Sequence, residues 1–264
     1  MRYMFLILNS LYSIGFVRTA NRIARLWKLS LGLYNKQGVQ AYSKSWWDER
    51  FYGASVLDRN TISNSIDEYA TAYHYASVEL IIAKELFNLK DEIKTENILD
   101  VGSGAGHWID FYRRIGGKNL IGLDVSEKVI SALREKYAGQ EVRLLNGVVA
   151  DLQKKELGEL DIVNAIGVMF HIVDDVEWRS SLTIFHSSLK QGGVLIVGGH
   201  FGLLDGLNVQ VDEYGVNKRL RSRGNWEKTL KAIGFENIRF IKNRAAFDIK
   251  RVLPENNILI AIKK

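Results

Sequence analysis

The sequence predicts an α/β fold, a mostly parallel sheet with helices on both faces. Short runs rich in Ile, Leu and Val recur between segments of helical periodicity. Those runs are apolar throughout, the pattern of strands buried on both faces. The first clear run, Asn97–Val101, also feeds directly into a glycine-rich turn that opens a helix.

Taken in chain order, Phe16, Ala20, Ile23, Trp27 and Leu31 share one helical face, with Arg18, Arg22, Arg25 and Lys28 largely opposite. This amphipathic basic helix, residues 16–31, has two readings: a cap packed on the domain, or peripheral contact with an anionic membrane surface or a lipid-linked substrate. The segment SKSWWDERFY, residues 43–52, is dense in aromatics without periodicity and is expected on a cleft or on the core. Between Ser65 and Leu89, Tyr69, Tyr73, Ala76, Leu80 and Ala83 predict a helix. Its tyrosines read as core aromatics, with closure over a ligand as the alternative. After Asn97–Val101 come a helix over Trp108–Ile115 that stops at Gly116-Gly117, a strand over Leu120–Leu123 that ends at Asp124, and a helix capped by Ser126 and running through Ala138. Further strands are expected at Val142–Leu145, Ile162–Ile166, Val194–Val197, Ile238–Ile241 and Ile258–Ile262.

Composition bounds the chemistry. The 264 residues, 47% hydrophobic and 25% charged, suffice for one large or two small domains with a real core. With no cysteine, the chain has no disulfide, thiolate metal site, iron–sulfur cluster or cysteine nucleophile. The net charge of +6 is an N-terminal property: residues 1–47 hold seven cations and no Asp or Glu. The near-neutral remainder argues against a nucleic-acid surface spread over the whole protein. The apolar run Met4–Val17 is interrupted by Asn9, Ser10 and Ser13, so no spanning helix is expected, nor a signal peptide, and the protein is expected in the cytoplasm.

The richest segment is Ile98-Leu99-Asp100-Val101-Gly102-Ser103-Gly104-Ala105-Gly106-His107-Trp108. Its glycines let a ligand approach the backbone closely. A dinucleotide fingerprint needs glycine where His107 stands, which weakens a dehydrogenase reading.

These residues resemble the first motif of the class I S-adenosylmethionine-dependent methyltransferases, an apolar run followed by D-x-G-x-G-x-G. The resemblance extends over roughly 90–264. It takes in Asp124 at the end of the next strand, Asp161–Ile172 at the fourth and Leu189–Ile196 at the turn before the fifth. It implies a Rossmann-like seven-stranded sheet whose last strand is antiparallel, with S-adenosylmethionine at the carboxyl ends of the first strands. Residues 1–75 would be a cap or lid and 76–264 the methyltransferase domain. The implied cofactor residues are Asp100, Gly102, Ser103, Gly104, Gly106, Asp124, Val125, Val149, Ala150, Asp151, Ala165 and Ile166. Asp124 would accept from both ribose hydroxyls, a carboxylate offering two acceptor oxygens. Many relatives carry an adenine-contacting acid where Val148 stands here, leaving Asp151, or backbone groups and apolar packing, for that role.

Methyl transfer to a hydroxyl benefits from a general base, and histidine suits neutral pH. His171 and His200, after the fourth and fifth strands, are the candidate catalytic residues. His74 on a possible lid ranks third; His186 is expected on the surface, and His107 is expected to matter through its backbone. Four cations, Lys218, Arg219, Arg221 and Arg223, could grip an anionic acceptor or form a solvated face. The acceptor itself is narrowed by exclusion. The only proline is Pro254, so the N/D-P-P-Y motif of nucleobase amino methylation is missing, and carbon-5 pyrimidine chemistry needs a cysteine. No metal is expected, since Asp174 and Asp175 lack a third ligand. The reading is a methyltransferase acting, most often at oxygen, on a small-molecule, sugar or lipid-linked acceptor and not on DNA. An RNA methyltransferase and a non-catalytic cofactor-binding partner protein are the alternatives.

Overall fold

The computed structural model describes residues 19, 23, 34–35, 44–50, 67–152, 154–202, 205, 207–210, 217–243 and 257–264. The amphipathic stripe of residues 16–31 lies outside them except for Thr19 and Ile23, both helical.

Ten strands and seven α-helices are described: β1 (Tyr34–Asn35), α1 (Lys44–Arg50), α2 (Glu68–Leu89), β2 (Asn97–Val101), α3 (His107–Arg114), β3 (Asn119–Asp124), α4 (Glu127–Lys136), β4 (Val142–Asn146), α5 (Lys154–Leu157), β5 (Leu160–Ile166), α6 (Asp175–Ser188), β6 (Leu189–Gly199), β7 (Leu207–Gln210), β8 (Asn217–Leu220), α7 (Arg223–Ile233), β9 (Phe235–Lys242) and β10 (Asn257–Lys263). The main sheet has the order β4-β3-β2-β5-β6-β10-β9, with β10 antiparallel to both neighbours and the remaining pairs parallel. The predicted seven-stranded sheet with an antiparallel last strand is therefore present.

Successive side chains of each strand enter opposite cores. Ile98, Leu120, Ile162 and Ile196 face α2, α3 and α4, while Leu99, Ile121, Val163 and Leu195 face α6 and α7. Two-sided burial explains why the strands read as unbroken apolar runs. Ser126 caps α4 by accepting from the Val129 amide at 3.3 Å, as the sequence predicts. At the amino ends of the strands, Asp161 accepts from Lys190 Nζ at 2.6 Å and from the Asn97 amide and side chain at 2.8 Å each, clipping β2 to β5. Burial alone would raise this carboxyl, but the Lys190 and Asn97 bonds outweigh it and hold it low.

Three expectations are corrected. In α2 the buried face is Ala70, His74, Tyr75, Val78, Ile82 and Leu86, whereas Tyr69 is 89% and Leu80 72% exposed and Tyr73 is also in solvent. His186 is half-buried and edge-on to Phe235 at 5.0 Å. The strand expected at Val194–Val197 begins at Leu189, ahead of its glycines.

A second sheet pairs β1 with β7 and β7 with β8, all antiparallel. It joins the N-terminal segment to the insertion between β6 and α7. Among the described residues, no helix is long and apolar enough to cross a membrane.

Candidate functional site

The glycine bend after β2 is fastened to the end of β3. The Gly102 and Ser103 amides donate to the Leu123 carbonyl at 2.7 and 3.1 Å, and the Gly104 amide donates to Asp124 Oδ2 at 3.1 Å. Gly102, Gly104 and Gly106 have φ of 70°, 50° and 83°, the left-handed region that side chains avoid. A Cβ at Gly102 would lie 2.3 Å from Val168 Cγ2, and one at Gly106 2.3 Å from the Tyr137 hydroxyl. Protein neighbours thus require Gly102 and Gly106 independently of any ligand.

Asp124 accepts from the Ser126 amide through Oδ1 at 3.0 Å. Burial pushes its carboxyl up to about 6, against the pull of the Ser126 and Gly104 amides. Beneath the bend, Asp100 is 2% exposed. Its Oδ1 accepts from Asn164 Nδ2 at 2.8 Å, and Asn164 Oδ1 accepts from the Tyr112 hydroxyl at 3.1 Å. Asp100 Oδ2 is buried with no hydrogen-bond donor among the described residues. Burial, opposed by the Asn164 bond, pushes this carboxyl up to about 7.

The helix α2 braces the bend from the other side. Tyr75 stacks on His107 at 3.5 Å, and Glu79 Oε1 reaches His107 Nε2 at 2.8 Å and Arg114 at 2.6 Å. The His107 ring is thus held in contact with α2 by Tyr75 and Glu79. His74 is buried beside it and lowered to about 4, by desolvation first and the neighbouring His107 second.

At the end of β4 the chain turns through Val149–Asp151. Val149 is buried, Ala150 half-buried and Asp151 exposed. Val125 offers its carbonyl to Asn146 Nδ2 at 3.1 Å, and Asn146 also bonds the Asp124 carbonyl at 3.1 Å. Ala165 is wholly within the α6-side core, so it can present only backbone, while Ile166 is half-buried at the strand end.

The two candidate histidines flank one ring: Phe170 lies 4.4 Å from His171 and 4.8 Å, edge-on, from His200. The Phe170 carbonyl accepts from the Arg219 amide at 2.8 Å, which hangs β8 over this corner and sets Lys218 Nζ 5.1 Å above the ring. Of the four cations there, Arg219 and Arg221 are held by Asp175 at 2.5 and 2.9 Å, and Arg223 lies over Phe240 at 5.3 Å. Arg219 and Arg221 are thereby committed within the fold and do not form the shared anion grip.

The aromatic segment supplies residues the sequence pattern did not assign. In α1, Trp47 sits edge-on to His171 at 5.1 Å, Asp48 accepts from Ser126 Oγ at 2.7 Å, and Lys44 reaches Asn146 Oδ1 at 2.5 Å. One short helix so spans from the ends of β3 and β4 to the end of β5. Aromatic density without period was its only signal, and Asn146, Asn164 and Phe170 had none.

The strand order, the glycine bend and an acid closing the neighbouring strand define the class I methyltransferase fold. Residues 98–193 match a family model described as a methyltransferase domain. Ribosomal protein L11 methyltransferase from Staphylococcus aureus is 29% identical over 104 residues, 39% of this chain and 31% of that protein. The match thus spans about a third of that curated relative's length. Magnesium protoporphyrin IX methyltransferase from Synechocystis PCC 6803, solved with S-adenosylmethionine, superposes with a TM-score of 0.58 at 16% identity over 86% of this chain and all of that one. An amino pentose methyltransferase from Micromonospora echinaspora superposes with a TM-score of 0.57 at 15% identity over 75% of this chain and 98% of that one. At such identities these likenesses establish the fold.

Proposed function

We propose that the protein is an S-adenosylmethionine-dependent methyltransferase whose acceptor is a small molecule, a sugar or a lipid-linked compound, methylated at oxygen. The observation that carries this reading is Asp100 Oδ2, a buried carboxylate oxygen without a donor among the described residues, beside the left-handed glycine bend. Unsatisfied buried charge is costly, and a cationic amino group of a ligand would remove that cost. The residues at the strand ends fit the rest of the donor. Asp124 keeps acceptor capacity on both oxygens for vicinal hydroxyls. The bend at Gly102, Ser103, Gly104 and Gly106 admits the amino-acid end, and Val125, Val149, Ala150, Asp151, Ala165 and Ile166 border the base.

The bound donor supplies an electrophilic methyl group on sulfur. His171 or His200 takes the proton of the acceptor hydroxyl as the new carbon–oxygen bond forms and the carbon–sulfur bond breaks. The chain's main contribution is alignment, with Trp47, Phe170 and Lys218 forming the acceptor wall. The fold neighbours, a magnesium protoporphyrin IX methyltransferase and an amino pentose methyltransferase, support a small-molecule or sugar acceptor, whereas the L11 relative is named for a protein. Lipid-linked acceptors, with membrane contact through residues 16–31, form part of the same proposal.

Incubation with labelled S-adenosylmethionine and cell extract, followed by mass identification of the product, tests it. A labelled small molecule is expected. Label in protein or RNA, or binding without transfer, would refute it. His171→Ala or His200→Ala is expected to lower kcat by roughly 10²-fold or more, the usual contribution of a general base. Flotation with anionic vesicles separates the two roles of residues 16–31.

A further inference from the structure

The outer face of α2 carries an apolar stripe that is largely exposed. Tyr69 is 89%, Tyr73 41%, Leu80 72% and Phe87 65% exposed, Ala76 is exposed and Ala83 half-buried between them. The six positions are separated by 4, 3, 4, 3 and 4 residues. That alternation is a coiled-coil seam, and it runs almost the full length of a 22-residue helix. Large exposed apolar patches on a folded domain mark contact surfaces.

The order of side chains along the seam says what the contact is. Laid antiparallel on a copy of itself about Val78, the stripe sets Tyr69 against the partner's Phe87, Tyr73 against the partner's Ala83 and Ala76 against the partner's Leu80. Two aromatics meet at each end, and elsewhere a large side chain faces an alanine, so the surface is complementary to itself. Charge agrees. Lys90, whose Nζ lies 4.6 Å over the Phe87 ring, comes to the partner helix's acidic start at Asp67 and Glu68, and the helix dipoles oppose. A parallel pairing would instead bring lysine to lysine, acid to acid and Leu80 to its own copy.

We propose that this protein forms a twofold homodimer through antiparallel pairing of the α2 helices along this seam. The isologous geometry closes on itself, as a twofold contact must. A single helix pair buries less than the roughly 800 Å² per partner of a standard interface, so the dimer dissociates on dilution. The inner face of the same helix holds His107 through Tyr75 and Glu79, which makes the dimer contact continuous with the brace of the glycine bend.

Sedimentation velocity over a concentration series tests this. Twice the chain mass is expected at high concentration, with Leu80→Glu raising the dissociation constant at least tenfold. Leu80 is in solvent, so this variant should keep the wild-type melting temperature when both are dilute. Because the chain has no cysteine, Ala72→Cys or Asn88→Cys alone can carry a nitroxide. Antiparallel pairing separates the two labels by about 18 Å along the axis for position 72 and about 30 Å for position 88, from 1.5 Å per residue. A monomer at about 100 μM, whatever else covers the stripe, overturns the proposal, as does a dimer indifferent to Leu80→Glu. Short, equal label distances at both positions, the parallel result, overturn it as well.

Discussion

Asp100→Asn should make the ligand-free protein more stable at neutral pH while impairing it as an enzyme. In the fold this carboxyl is pushed by burial from 3.8 up to about 7, so it binds a proton more readily folded than unfolded. For such a group the stabilising contribution is complete below pH 3.8 and disappears as pH rises through 7. A difference of about three pH units corresponds to about 4 kcal/mol of destabilisation above pH 7, at 1.36 kcal/mol per unit. Asparagine keeps the bond from Asn164 at Oδ1 and removes the charge, but places an amide donor where Oδ2 has no partner, a cost of about 1–3 kcal/mol. A net gain of about 2 kcal/mol is expected at pH 7.5. Urea unfolding of both proteins at pH 7.5, 5 and 3.5 is the assay. The carboxylate's cost falls by about half at pH 5, where the unfolded carboxyl is ionised and the folded one protonated, and is nearly gone at pH 3.5. A variant no more stable than wild type at pH 7.5, or a difference independent of pH, would refute the description of Asp100 as a strained buried carboxylate.

Three further outcomes follow from the same structure. Asp124→Ala should weaken S-adenosylmethionine binding by about 2 kcal/mol, roughly thirtyfold, measured by calorimetry. In wild type that affinity should fall as pH drops through about 6, where Asp124 gains a proton and its acceptor capacity declines. Arg221 is 1% exposed, paired with Asp175 and set 4.3 Å over Trp178; Arg221→Ala should cost about 2 kcal/mol in urea, because the packing over Trp178 and the bond to the Ile172 carbonyl are lost while Asp175 keeps Arg219. Asp161→Ala should cost about 3 kcal/mol near neutrality by freeing β2 from β5 and leaving Lys190 unpaired. Since the fold holds that carboxyl low, the wild-type advantage should vanish as pH falls below 3.8.

Local patterns were readable in the sequence, and contacts between distant segments were not. Asn97–Val101 coincides with β2, and the glycine bend and Asp124 stand together as the spacing implies, because a strand, its turn and the next strand are specified by neighbouring residues. The face of α2 was read the wrong way round. Its apolar seam is in solvent, and its inner face includes Thr71, His74 and Glu85, polar residues whose burial depends on partners elsewhere. Glu85, for one, meets Arg239 at 2.7 Å from another element. Arg219 and Arg221 looked available for an anion because Asp175, more than forty residues away, gives no sign in the sequence that it will claim both. Trp47 and Asp48 reach the site from a segment with no period to interpret.

The pairing of β1 with β7 makes the beginning of the chain a structural dependency of its distal half. A shortened version starting at residue 44 would strip β7 of one of its two neighbours and bare the edge at Asn208 and Val209, an invitation to sticky self-association. The acceptor corner would suffer indirectly, since β7 holds β8 and β8 holds Phe170. Trimming meant to tidy the protein for crystallisation would therefore alter the pocket it was meant to reveal.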